Sequence, residues 1–525
     1  MSLVNNKREL ESNLKLIAKT SSIVFIGLIL SKIFTYFYRV IIARYYGPET
    51  YGLFSLALMI FGFFLIFSSF GLTDGLLRYV SFYRGKKEIS KINYLLKFSL
   101  VVLFISSILA ATIFFFLSNF ISLNIFHNAN LEIYLRYFSF TIPIAIFSGI
   151  FLSIIRAYEE IKWYSFFQNI LQTVTRIVFL ITFILLAYIG IKSNAIIVSF
   201  FLGYLSMLIV TYLFCRYKLP GVFLKKPITS KQKKLIISKL FLYSWPIIFS
   251  GGIMSLFYWI DSFFLGYLKG AEPVGFYNAA VPIAMLLFMT PEIFMQLFFP
   301  LINRYYSNKN YELIKQLSKQ LGKWIFMINF PIFILIFIFP GGAINILFGS
   351  QYLVAQNVLR ILIFGSFIAS IAIISSNLLS MAGKSKLILI DIVLASIMNI
   401  FLNILLIPMP SILGINNSLG ISGAAIATVL SMVFLNTLFF FQAKKNLGIM
   451  PLRNKMINIS IIGIILAIIL FYIRTIITSQ NVFIVGLLAL GFLGVYFLFI
   501  FLSRSLDEND WTIISAFWKK IKSTL

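Results

Sequence analysis

Cysteine is almost missing from this 525-residue chain, and the single one, Cys215, excludes an internal disulfide. Histidine is equally scarce: His127 stands alone, which makes a structural role the expectation rather than a catalytic one. Charged residues make up only 11% of the chain, about half the share that a soluble domain carries. The acids, 16 in number, form no cluster that would serve acid–base or metal chemistry, and no large polar loop exists to carry one. A glycine-rich phosphate-binding motif is also absent, which speaks against nucleotide hydrolysis. An enzyme such as a membrane glycosyltransferase or polymerase is therefore a weak reading. No catalytic residue, metal site or cofactor is expected.

What the chain has instead is apolar length. Hydrophobic residues reach 60% and the mean hydropathy is +0.97, so water is not the main solvent. The apolar residues come in runs long enough to cross a bilayer, which takes roughly 20 helical residues each. Spans are predicted near 20–42, 52–72, 94–117, 137–155, 165–189 and 194–214, then near 240–267, 276–300, 324–340, 358–381, 387–407 and 420–441, with a last pair near 457–477 and 481–502. The runs are continuous rather than alternating, which excludes a β-barrel, and only helices satisfy their own backbone inside lipid. The expected fold is an all-α integral membrane protein of about fourteen transmembrane helices. Residues 1–19 are polar and lack a small-residue cleavage site after them, so the first run reads as a retained helix rather than a signal peptide.

The net charge of +28 resembles a nucleic-acid signature until it is placed on this topology. With the N-terminus inside, only Arg44, Arg136, Lys192, Lys269, Arg360 and Arg474 fall on outer loops, while most other basic residues fall in cytoplasmic segments. That asymmetry is the positive-inside rule and puts both termini in the cytoplasm of a cell-membrane protein. The basic cluster Lys225, Lys226, Lys231, Lys233 and Lys234 is then a solvated loop, with attraction to anionic headgroups as a second effect. No nucleic-acid partner is expected.

That loop divides a repeat. Gly47-Pro48-Glu49-Thr50-Tyr51-Gly52 and Gly270-Ala271-Glu272-Pro273-Val274-Gly275 share G-x-E-x-x-G at an offset of 223 residues. Arg156-Ala157-Tyr158 stands opposite Met381-Ala382-Gly383 at an offset of 225. The expected organisation is a cytoplasmic segment 1–19, a six-helix bundle 20–214, a basic linker 215–239, a second six-helix bundle 240–441, two additional helices within 442–502 and a cytoplasmic tail 503–525. Units with an even number of helices are parallel repeats about an axis along the membrane normal, and such repeats carry a substrate path between them.

Polar stripes at helical spacing supply candidates for that path. Lys32, Thr35, Tyr36 and Arg39 share one face of the first helix, and Gln168, Gln172, Thr175 and Arg176 one face of the fifth. Ser255, Tyr258 and Ser262, then Ser366, Ser370, Asn377 and Ser380, and Ser396, Asn399 and Asn403 repeat the pattern. Interhelical hydrogen bonding explains the uncharged stripes as well as a substrate path does. Lys32 and Arg176 discriminate better, because a cation near mid-span costs about 2.5 to 3.5 kcal/mol on insertion scales and should face water or an anion. Arg39, nearer the outer end, has the alternative of snorkelling. Among the acids, Asp261, Glu292 and Asp391 are the membrane-embedded candidates for coupling to H+ or Na+.

The run from Ser31-Lys32 through Ile42-Ala43-Arg44-Tyr45-Tyr46-Gly47-Pro48-Glu49, with Phe70-Gly71-Leu72, Trp259-Ile260-Asp261, Leu379-Ser380-Met381-Ala382-Gly383-Lys384, Asn399-Ile400-Phe401-Leu402-Asn403 and Gly423-Ala424-Ala425, resembles the polysaccharide flippases of the multidrug/oligosaccharidyl-lipid/polysaccharide exporter superfamily. The resemblance covers nearly the whole chain through loose motifs. It implies transport of a polyprenyl-(di)phosphate-linked oligosaccharide from the cytoplasmic to the outer leaflet, by a monomer working with other polysaccharide-assembly proteins in a membrane of lipids. By the same resemblance, the related lipid II flippases place essential arginines on the first helix; one position is Lys32 here, and the other aligns with Tyr38, beside Arg39. The resemblance further implies that the last two helices help hold the polyprenyl tail. Substrate contacts are expected at Lys32, Tyr36, Arg39, Gln168, Gln172, Arg176, Tyr258, Asp261 and Asn399. A drug or cation antiporter of the same superfamily is the alternative.

The charge asymmetry predicts an orientation. A Lys231→Cys substitution in a Cys215→Ser background should react with a membrane-impermeant thiol reagent in inside-out vesicles and stay unlabelled in intact cells. Labelling in intact cells would invert the topology.

Overall fold

In a computed structural model, the chain is described over residues 2–188, 194–223, 228–307, 310–476 and 482–503. Lys192, Lys225, Lys226 and the tail from 504 onward lie outside the described residues. The apolar runs fold as helices, and among the described residues twelve helical segments are long and apolar enough to cross a membrane. The expected first and second spans, 20–42 and 52–72, both overlap one of these, Ile29–Ser69.

In order, the helices are α1 (Ser2–Ser69), α2 (Leu72–Gly85), α3 (Ile89–Phe120), α4 (Asn130–Ala157), α5 (Ile161–Ser165), α6 (Gln172–Tyr188), α7 (Ala195–Lys218), α8 (Ser230–Lys269) and α9 (Ala271–Ala284). They continue with α10 (Met289–Ser307), α11 (Tyr311–Ile338), α12 (Pro340–Phe348), α13 (Gln356–Met381), α14 (Ser385–Leu406), α15 (Ile421–Leu447), α16 (Lys455–Ile476) and α17 (Val482–Leu502). Two strands, β1 (Ser411–Ile412) and β2 (Ile415–Asn416), make an antiparallel hairpin between α14 and α15. Its two-residue turn has Leu413 and Gly414 at φ 49° and 79°, the left-handed pair that such a tight hairpin requires.

The chain forms two compact units. The first holds residues 1–278 and 396–424, the second 279–395 and 425–525; α14 and α15 each contribute to both. The first unit is centred on aromatic side chains from α1, α4 and α7. Phe138 and Phe200 stack at 4.3 Å, and Phe54 and Phe61 meet both edge-on. The second unit is built on α11, where Phe330 fills the space left by Gly463 of α16 and the Tyr496 hydroxyl of α17 donates to the Met327 carbonyl at 3.2 Å. Lys323 is fully buried in α11, although the hydropathy pattern places it in a cytoplasmic loop just ahead of the span. Likewise Arg78 lies 4.2 Å from the Tyr243 ring centroid and makes no ion pair with Asp74 one turn away.

The two copies of G-x-E-x-x-G adopt one conformation and meet within the first unit. Gly47 kinks α1 at φ 82°, ψ 176°, and Gly270 ends α8 at φ 92°, ψ −174°; only glycine enters that region without large strain. The helix that follows each kink then packs on its counterpart. A Cβ on Gly52 would sit 1.8 Å from the Ala271 carbonyl oxygen, and one on Gly275 would sit 1.9 Å from that of Pro48. Backbone therefore touches backbone, reciprocally. Overpacking such a contact costs about 1 to 3 kcal/mol or more. Gly52→Ala should lower the melting temperature of the purified protein, while Gly62→Ala, in the same helix with open space around it, should not. Equal melting of the two variants would show that the helices can part at no cost.

Candidate functional site

Both groups of polar side chains that stand out lie in the first unit. One surrounds Asp261 of α8, which is 4% exposed. The Tyr277 hydroxyl of α9 donates to Asp261 Oδ2 at 2.6 Å, and Asn403 Nδ2 of α14 donates to Oδ1 at 2.9 Å, with Asn399 Nδ2 at 3.4 Å. The stripe Asn399–Asn403 is thus aimed at a carboxylate, because residues four apart share a helix face. Next to it Asn278 donates to Ser262 Oγ at 3.0 Å, and its carbonyl accepts from the Tyr51 hydroxyl at 3.1 Å. Arg39 lies within electrostatic reach of Tyr51. A polar series therefore runs from Tyr51 of the repeated motif through Asn278 to Ser262, the neighbour of Asp261. Ile260 and Ile400, neighbours of Asp261 and Asn399, help line an apolar cavity of about 410 Å³ walled by Phe63, Phe126, Trp259 and Phe263. That wall keeps the surroundings of Asp261 low in dielectric, which strengthens each hydrogen bond to the carboxylate.

The second group surrounds Arg176 of α6. Its aliphatic stem lies in the notch left by Gly203 of α7, where a Cβ would come within 2.3 Å of Arg176 Cγ. The guanidinium carbon sits 4.3 Å from the Phe200 ring centroid and 4.7 Å from that of Tyr204, a cation–π arrangement that holds charge without neutralising it. Tyr38, buried and within electrostatic reach of Arg176, hydrogen-bonds Ser199 at 3.2 Å. Arg176 makes no ion pair with Asp261 in this conformation, so the simplest structural account of both charges does not apply. One turn earlier, Gln172 is 8% exposed. Gln172 Nε2 and Arg176 Nε are both buried and both lack an acceptor. Two unsatisfied donors on one helix face, one of them cationic and backed by aromatic rings, make a site complementary to an anionic oxygen ligand.

The predicted residues are thus divided. Gln172 and Arg176 come together, as do Asp261 and Asn399, and Arg39 lies within electrostatic reach of Tyr51. Lys32 and Tyr36 are half-buried along α1. Gln168 is exposed, and Tyr258 is 55% exposed. Gln168 departs from the face of Gln172 because Phe166–Leu171 forms a wide π-type turn, which breaks the i, i+4 register. Ser199, Phe200 and Tyr204 escape sequence reasoning because α7 carries no stripe, only an apolar run; the one cue is Gly203 between two aromatics.

A model of the family described as "Polysaccharide biosynthesis protein" matches residues 17–306, and one described as MatE matches residues 246–405. An uncharacterized membrane protein of Methanocaldococcus jannaschii is 26% identical over 89% of this chain and 91% of its own length. A putative O-antigen transporter of Shigella flexneri is 24% identical over 66% of this chain and 80% of its own. Among solved structures, the lipid II flippase MurJ in an inward closed conformation superposes with a TM-score of 0.68 at 17% identity, over 91% of this chain and 97% of that one.

The Asp261 group predicts a stability effect. Tyr277→Phe removes a buried donor from a charged acceptor, a loss of about 1 to 3 kcal/mol, and should lower the melting temperature of the purified protein. A variant melting with the wild type would mean that the two asparagines alone hold the carboxylate.

Proposed function

Because the chain belongs to the polysaccharide biosynthesis protein family, we propose that this multi-pass membrane protein is a flippase for a lipid-linked oligosaccharide, not an enzyme. The substrate joins a sugar chain to a lipid through phosphate, and its barrier is the passage of an anion through hydrocarbon. A cationic site inside the helix bundle lowers that barrier. The observation that carries the reading is the pair of unsatisfied buried donors, Gln172 Nε2 and Arg176 Nε, on one face of α6.

In this mechanism the guanidinium takes the phosphate oxygens, with the bidentate geometry that lysine lacks. The Phe200 and Tyr204 rings keep it extended while the site is empty. Tyr36 on α1 is a candidate contact for the sugars, and Lys32 supplies a second cation. The positive-inside charge pattern supports cytoplasmic termini, and the family resemblance supports transport from the cytoplasmic leaflet to the outer one. Alternating access moves the site from one side to the other. Asp261, held by Tyr277 and Asn403, is the group that would take the coupling cation, H+ or Na+, whose binding competes with those hydrogen bonds. A monomer suffices for this scheme, with polysaccharide-assembly proteins supplying and consuming the substrate. A drug antiporter would instead need a carboxylate facing its cationic cargo, whereas the unsatisfied groups around Arg176 are donors.

Arg176→Gln should leave abundance and membrane insertion unchanged while reducing export of the glycan by about tenfold or more, the equivalent of one charge-assisted hydrogen bond. Arg176→Lys should keep part of the activity, since charge remains and the planar fork does not. Export can be read as glycan on the surface of cells that depend on this protein. Undiminished export by a stably expressed Arg176→Gln protein would remove Arg176 from the substrate path.

A further inference from the structure

We propose that Asp391 is a proton-binding site, neutral in this conformation and closed into a ring with Gln442. The two residues face each other from α14 and α15, and both belong to the second unit. Asp391 is 3% exposed. Its Oδ1 accepts from Gln442 Nε2 at 2.8 Å. The other oxygen of each group, Asp391 Oδ2 and Gln442 Oε1, is buried without a hydrogen-bond partner. Each is an acceptor when the carboxyl is ionised, so neither can satisfy the other.

A single proton resolves both. Placed on Oδ2, it turns that oxygen into a donor toward Gln442 Oε1, while Nε2 continues to donate to Oδ1. The result is a two-bond acid–amide ring in which no polar atom of either group is left over. The terminal torsions of both side chains are soft enough to bring the planes together.

An ionised carboxylate at the same place has nothing to balance it. Among the described residues, Gln442 is the side chain that hydrogen-bonds the Asp391 carboxyl. The charged groups on the two helices nearby, Lys386 on α14 with Lys384 just ahead of it, and Lys444 and Lys445 on α15, are exposed and form no ion pair with it. A buried unpaired carboxylate costs several kcal/mol. A metal cation is a poorer answer than a proton, because hard cations gather about six or more oxygens and the pair offers two.

The proton has a defined way out. While α14 and α15 stay together here, it is shielded from water. When they part, the ring opens, water reaches Oδ2, and the acid can ionise. The inference rests on the transport reading only for its use, as a second proton-linked element on the helix that also carries Asn399 and Asn403. The protonation state itself stands on the geometry.

The test is infrared difference spectroscopy of the full-length protein in lipid nanodiscs at neutral pH, so it requires no substrate and is independent of whether the protein moves a glycan. Subtracting Asp391→Asn from the wild type should reveal the carbonyl stretch of a protonated carboxyl. Asparagine preserves the ring as an amide–amide pair, so the variant should fold and melt normally; Asp391→Glu, which should shift the band without abolishing it, serves if it does not. Gln442→Leu should move the wild-type band to higher frequency, as the hydrogen bond to the carbonyl is lost. A carboxylate stretch in place of the acid band would overturn the proposal, as would a band indifferent to Gln442→Leu.

Discussion

A polar group inside hydrocarbon has no water to fall back on, and that constraint orders this protein from its helices to its candidate site. The backbone answers it by being helical. Serines and threonines answer it locally, turning back to carbonyls three or four residues earlier, as Ser107, Ser148, Thr211 and Ser431 do. Asp261 answers it across three helices, with donors from α9 and α14. Against that background the exceptions carry information. Gln172 and Arg176 retain donors with no acceptor, while Asp391 and Gln442 retain acceptors with no donor. The first pair is short of acceptors and the second short of a donor, so the two sites pose opposite chemical demands.

The apolar runs made the helices legible because a membrane span is specified mainly by length and hydropathy. Where the reading slipped, a local physical cause is visible. Lys323 looks like loop material because lysine is polar, yet α11 extends through it and packing buries it completely. Ideal periodicity puts Gln168 on the face of Gln172 and Arg176, but the wide turn at Phe166–Leu171 takes it off that face. The partners of Arg176 were not legible at all. Cation–π contacts with Phe200 and Tyr204 join different helices, and nothing in the spacing of an apolar run says which aromatic will meet which cation.

The family resemblance and the geometry bear on different questions. The resemblance aligns Tyr38 with a position where related lipid II flippases hold an arginine, a substitution that removes a charge at that point of the first helix. In the fold, Tyr38 stands within reach of Arg176, so the charge is present, delivered from α6 rather than α1. A guanidinium arriving from another helix keeps the local potential while changing its direction of approach. Conservation at one position would miss that exchange.

The contact between Gly52 and Gly275 has an implication for the history of the chain. Residue 52 meets residue 271 and residue 275 meets residue 48, while the equivalent positions at the repeat offset are 48 with 271 and 52 with 275. That exchange of partners defines an isologous interface, the kind two identical subunits make across a two-fold axis. A single polypeptide here contains the contact surface of a homodimer, folded against itself. A change in either glycine motif is therefore read by the other, and these segments cannot diverge independently while the remainder of the two halves drifts apart.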